Sequence, residues 1–192
     1  PVRLNAMLTA TTTITDIDFL VALARDKCAL LNFSSTFSFV PRQQGGASFV
    51  SFLPPDARFR ELLDYIAEQK RRGAPLQFSR EGFARARDWP LPFARLRAGA
   101  AELPETYRYD TCRHGDYVAF IDGDGRMYPC CNFWNDYPVL NVRDGGVASA
   151  WARLTRGGCD ACYTFSYIDR NGLLALRPRL LLNYLRNALT GK

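Results

Sequence analysis

Residues 117–130 read Tyr117-Val118-Ala119-Phe120-Ile121-Asp122-Gly123-Asp124-Gly125-Arg126-Met127-Tyr128-Pro129-Cys130. The apolar run 117–121 suits a strand. Asp122-Gly123-Asp124-Gly125 is a hairpin-turn signal because its glycines accept positive φ, and Arg126-Met127-Tyr128 runs back. The return carries Cys130 toward the beginning of the first strand. Cys112 lies a few residues further out, so its loop, 113–116, must fold inward. Downstream, Gly157-Gly158 introduces Cys159-Asp160-Ala161-Cys162, a pair whose turn lets both sulfurs face one ion or cluster.

Four thiolates thus arise from a hairpin and a tight turn, enough for one zinc ion or one cubane iron–sulfur cluster. Zinc ribbons bring two close Cys pairs together. Here one pair is split by seventeen residues, which suits zinc less well. Cys28 follows a helix end and leads into an apolar strand, and reads as a buried, unligated thiol. His114, the single histidine, reads first as a surface-loop residue and second as a hydrogen-bond donor to a sulfur.

The chain has 192 residues, 47% hydrophobic, with 25 Lys+Arg against 19 Asp+Glu and six Cys. That composition belongs to a globular protein of one domain or little more. No apolar run is long enough to cross a membrane, and no basic-then-apolar leader is present. Clustered cysteines without an export signal read as a metal site in a cytoplasmic protein. The net charge of +6 comes from scattered arginines and only Lys27, Lys70 and Lys192. This argues for a solvated basic surface over a phosphate-tracking groove, leaving nucleic-acid binding as the weakest functional reading.

The N-terminal half begins with alternating residues from Val2 to Leu8, followed by a helix over 16–27 capped by Thr15. A buried strand, Ala29 to Phe33, completes a βαβ unit and implies parallel pairing. A second helix, 55–72, turns Phe59, Leu62, Leu63 and Ile66 inward and ends at Gly73. A short strand, Leu76 to Phe78, and a helix over 80–87 follow. Two strands and two helices do not close an α/β sheet, so this half reads as a piece of something larger. Towards the end, a helix over 147–154 buries Trp151, while Tyr163, Phe165 and Tyr167 read as core. Pro178 starts a terminal helix whose Leu181, Leu182, Leu185 and Leu189 dock it back onto the protein.

Cys112, twelve residues, Gly125, four residues, Cys130, a gap and Cys159-x-x-Cys162 resemble the twitch domain of radical S-adenosylmethionine (AdoMet) enzymes, a shortened SPASM domain. The resemblance implies that Cys112, Cys130, Cys159 and Cys162 ligate one auxiliary [4Fe-4S] cluster. Cys131 is an extra thiol that stands as a substitute for Cys130. The N-terminal half resembles the last βα units of a partial (β/α)6 radical-AdoMet barrel, whose AdoMet pocket Asn5 and Ser34 would border. The implied fold is α/β: barrel portion 1–94, linker 95–111, cluster domain 112–172 and C-terminal helix 173–192.

The family's Cys-x3-Cys-x2-Cys loop is absent from these residues, so AdoMet cleavage is beyond them. The sequence, opening mid-sheet at Pro1, is expected to be the C-terminal part of a longer oxidoreductase. The complete enzyme would add AdoMet, a second [4Fe-4S] cluster, a reductant such as flavodoxin or ferredoxin, and a small-molecule or peptide substrate. Four Cys ligands leave no open iron, which favours electron transfer as the auxiliary cluster's role. The competing reading is a non-enzymatic zinc or iron–sulfur module with a structural site.

Overall fold

The computed structural model describes residues 2–35, 52–133, 138, 140–155 and 157–190. It opens with the expected βαβ unit: β1 (Arg3–Leu8), α1 (Ile14–Asp26) and β2 (Leu30–Ser35). The strands pair in parallel from Arg3 with Leu30 to Leu8 with Ser35. Strand alternation buries Leu8, Leu31 and Phe33 on one face and places Asn5, Met7, Asn32 and Ser34 on the other. Thr13, not Thr15, caps α1. Its hydroxyl accepts from the Asp16 N–H while the Asp16 carboxylate accepts from the Thr13 N–H, a reciprocal box that starts the helix at Ile14 and leaves Thr15 inside its first turn.

Cys28 is exposed rather than buried. It holds φ 48° just past α1, where its N–H reaches Arg25 O and the Ala29 N–H reaches Ala24 O. This Schellman arrangement turns the residue outward.

Helix α2 (Asp56–Arg71) buries Phe59, Leu62, Leu63 and Ile66 as its periodicity predicts. The expected strand at 76–78 is a single parallel bridge, Leu31 with Leu76. Helix α3 (Arg80–Arg87) is capped by Ser79, whose hydroxyl accepts from the Gly82 N–H at 2.9 Å. Among the described residues the parallel sheet is two strands plus this bridge, and they close no barrel.

The segment 95–111, expected as a linker, carries strand β3 (Arg97–Ala98). The hairpin follows as β4 (Phe120–Ile121) and β5 (Arg126–Tyr128), with β6 (Leu140–Asn141) paired to β5. The first strand is shorter than its apolar run. Residues 113–118 form a turn instead, in which the Gly115 N–H donates to Val118 O and the Tyr117 N–H to Arg113 O. Gly125 takes φ 89°, and a Cβ there would stand 2.8 Å from Asn141 Oδ1. Helix α4 (Gly146–Ala152) buries Ala150 against Met127 and Leu140 and leaves Trp151 half-buried. A small residue facing the sheet lets the helix approach, and the indole lies alongside.

Strand β7 (Ala161–Cys162) pairs antiparallel with β3. Helix α5 (Phe165–Leu174) and helix α6 (Pro178–Thr190) complete the order. On α6 Leu180 is buried against the open Cα of Gly172 and Leu181 is half-buried, while Leu182 and Leu185 are exposed. The side chain of Leu189 and residues 134–137 lie outside the described residues.

One core runs through both halves, from Leu8, Phe33 and Phe59 to Ala161, Tyr163 and Phe165. Phe93 packs edge-on against Phe59 at 4.6 Å and against Tyr163 at 5.0 Å, pairs worth about 0.5–1.5 kcal/mol each beyond area burial. The Tyr163 hydroxyl donates to Phe93 O at 2.5 Å. Leu96, Leu103, Tyr107 and Tyr109 pack on the same core, so 95–111 forms part of its wall.

Buried Asp169 of α5 clamps the start of α3, accepting from the Ser79 N–H at 2.6 Å and the Ser79 hydroxyl at 2.5 Å. Burial holds its pKa above the ordinary aspartate value although the Ser79 bonds pull it down. A Cβ at Gly82 would stand 2.6 Å from Asp169 Oδ1. Gly82→Ala should therefore lower stability by about 1–3 kcal/mol, read as an earlier urea midpoint at unchanged slope. An unshifted midpoint would show the clamp to be loose.

Candidate metal centre

Three segments meet at the cysteines. The Gly157-Gly158 pair takes φ 55° and 73°, bending the chain so that Cys159 and Cys162 lie on one knuckle. That knuckle is stitched to its neighbours by backbone bonds: the Asp160 N–H donates to Ala98 O at 2.9 Å, and the Cys112 N–H to Asp160 O at 2.8 Å. The Asp160 carboxylate accepts from the Ala100 N–H at 2.8 Å. Gly99 is required beside it, because a Cβ would come within 2.7 Å of Gly158 O. Residue pairing thus sets Cys112 next to the knuckle. The hairpin supplies the fourth thiol: Cys130 packs with Tyr128, Phe133 and Cys159 in one small apolar cluster.

Cys112, Cys130, Cys159 and Cys162 are all buried, and no disulfide joins any of the six cysteines. Every pair among these four lies within the other's electrostatic field. Burial first, and then that mutual field, pushes Cys130, Cys159 and Cys162 each up to about 12. Opposing this, the Asn132 N–H donates to the Cys130 sulfur, Thr164 donates to Cys162, and the Arg97 charge favours ionised Cys159. The guanidinium of Arg97 lies over the Phe133 ring at 3.9 Å.

Buried thiols of this kind are the chemistry that a thiophilic cationic group requires. Bound metal deprotonates thiols outright, and the burial that now disfavours thiolates then strengthens their attraction to the metal. The donor set fits zinc or a cubane cluster alike. Among the described residues, no group of three or more His, Cys, Asp or Glu side chains is placed so that it could hold a single metal ion.

Cys131, the expected substitute, points its sulfur at the Tyr167 hydroxyl, 2.9 Å away. Burial first, and then this bond, raises the Tyr167 pKa. His114 is buried, not on a surface loop. The turn at 113–118 folds it inward, with Nδ1 3.6 Å from Cys112 Sγ and Nε2 3.2 Å from the Arg170 guanidinium. Burial, with help from the Arg170 charge, pushes its pKa down to about 4.

Sequence reasoning missed Arg97, Gly99, Tyr167 and Arg170. Tyr163 and Phe165 are core as expected, whereas Tyr167 faces the cysteines, because a helix begins at Phe165 and the alternation there is not that of a strand. Asn5 and Ser34 lie on the open face of the parallel sheet, where the Asn32 amide donates to Asn5 Oδ1 at 2.9 Å. Neither packs in the cysteine cluster. No helix among the described residues is long and apolar enough to cross a membrane. In comparisons with known proteins, no family model, curated protein or solved structure matches the chain.

The arrangement separates the adjacent thiols. Cys130→Ala should abolish metal retention after anaerobic gel filtration, while Cys131→Ala should retain it, as measured by elemental analysis. The reverse pattern would transfer the ligand role to Cys131.

Proposed function

We propose that this chain holds one auxiliary [4Fe-4S] centre on Cys112, Cys130, Cys159 and Cys162, beside the last βα units of a radical-AdoMet barrel. The observation that carries the reading is the gathering of four buried thiols from three segments, every pair within mutual electrostatic reach. When bound, such a centre supplies one-electron transfer, in the family to or from a substrate radical.

The chain's own residues prepare the site. Tyr128, Phe133 and Tyr167 surround Cys130 and Cys159 with apolar surface, which excludes water and bears on the potential. The turn N–H of Asn132 and the Thr164 donor favour ionised sulfur at Cys130 and Cys162. Four protein ligands leave no open iron, so electron transfer is favoured over substrate ligation.

The parallel pair β1–β2 supports the barrel part of the reading. Parallel strands are ordinarily covered on both faces, yet Asn5 and Met7 stand exposed on the face opposite the core. In a βα barrel that face lines the interior, where Asn5 and Ser34 would border AdoMet. Cleavage of AdoMet needs a three-cysteine loop that these residues do not include. A flavodoxin- or ferredoxin-type reductant and a small-molecule or peptide substrate belong to the same proposal. So does a cytoplasmic setting, since free thiols suit a reducing compartment.

The test is elemental. Anaerobically purified protein should be brown, with about four irons and matching sulfide per chain. Cys159→Ala and Cys162→Ala should each lose the iron, and Cys28→Ala should keep it. Colourless protein carrying one zinc per chain would overturn the cluster and leave the structural-module reading in its place.

A further inference from the structure

We propose that Arg170 and His114 form a two-residue relay that fixes a hydrogen-bond donor on the Cys112 sulfur and thereby raises the reduction potential of the centre. The inference rests on the cluster reading above.

A guanidinium carries donors only. With Arg170 Nη1 3.2 Å from His114 Nε2, that ring nitrogen must present its lone pair, because an N–H facing an N–H is repulsive. The imidazole proton therefore resides on Nδ1, which faces Cys112 Sγ at 3.6 Å, a reasonable length for a donor to sulfur. The tautomer follows from the network rather than from the ring itself.

The geometry leaves the ring little freedom. Tyr167 lies against it with centroids 4.1 Å apart, and is itself held by its hydroxyl on Cys131. Arg170 and Tyr167 sit three residues apart on α5, and so share a face. One residue further on, Asn171 Oδ1 accepts the Arg113 N–H at 3.0 Å, fixing the backbone just before His114. Helix α5 therefore determines which nitrogen meets the sulfur. A donor to a ligating sulfur withdraws electron density and stabilises the more reduced, more negative state of a cluster.

Redox titration of the full chain tests this, with iron counted in every sample. His114→Phe preserves the ring and removes the donor. It should keep its iron while its reduction equilibrium falls about tenfold, 59 mV for one electron. His114→Asn, whose amide nitrogen takes the place of Nδ1, should recover at least half of that. Arg170→Gln, at an exposed position, should shift the potential in the same direction but less, because the tautomer is no longer forced.

A second readout uses the single histidine of the chain. In zinc-loaded protein labelled with 15N-histidine, the spectrum should show the Nδ1-protonated form, and the Nε2-protonated form would overturn the relay. Full iron with unchanged potential in His114→Phe also overturns it. If that variant cannot hold iron, unchanged potential in iron-replete Arg170→Gln overturns it instead. Wild-type protein without iron defeats the cluster reading beneath, a separate failure.

Discussion

Four thiols buried in one another's field constrain the structure around them. None can ionise cheaply there without a positive group, and each must be brought in by a different piece of backbone or a tight turn. The protein meets this with strand pairing. The β3–β7 ladder and the Cys112–Asp160 backbone bond fix the knuckle and the loop against each other, so sulfur positions follow from register more than from side-chain freedom.

Register in turn depends on the core. Tyr163, the residue after Cys162, is buried against Phe59, Trp89 and Phe93. A one-residue slip of β7 would expose that ring and turn both neighbours over. The knuckle is thereby coupled to burial of an aromatic cluster far larger than itself. Two glycines carry the close approaches on which this depends. Gly99 passes beside Gly158 O, and Gly125 lets the hairpin turn tightly under Asn141.

Much of this was legible in the sequence, for local reasons. The βαβ unit, α3 and the hairpin turn are each announced by short-range patterns: alternation, helical spacing, Asp-Gly pairs. The thiols themselves stand out by spacing. What stayed illegible is long-range. Arg97 and Ala98 look like loop residues because a two-residue strand has no pattern; only its distant partner, Ala161–Cys162, makes it one. His114 looked exposed because nothing nearby in sequence covers it; Tyr167 and Arg170 do, from α5. Leu180 rather than Leu182 packs on α6 because the helix meets α5 at Gly172, a contact no helical periodicity contains.

Helix α5 is where the two halves become one object. Asp169 reaches back to the start of α3, while Tyr167, Arg170 and Asn171 reach forward to the cysteine segments. These residues are adjacent on a short, well-bonded helix, so a displacement of one set is a displacement of the other. The Asp169 carboxylate is desolvated and accepts from both the Ser79 N–H and the Ser79 hydroxyl, which makes the clamp sensitive to small shifts of the helix. Helix α5 therefore ties the segments that carry Cys112 and Cys131 to the α3 cap through direct hydrogen bonds at both ends of the connection. The connection runs through one ten-residue helix, and in that sense the helix joins the cysteine segments to the rest of the fold.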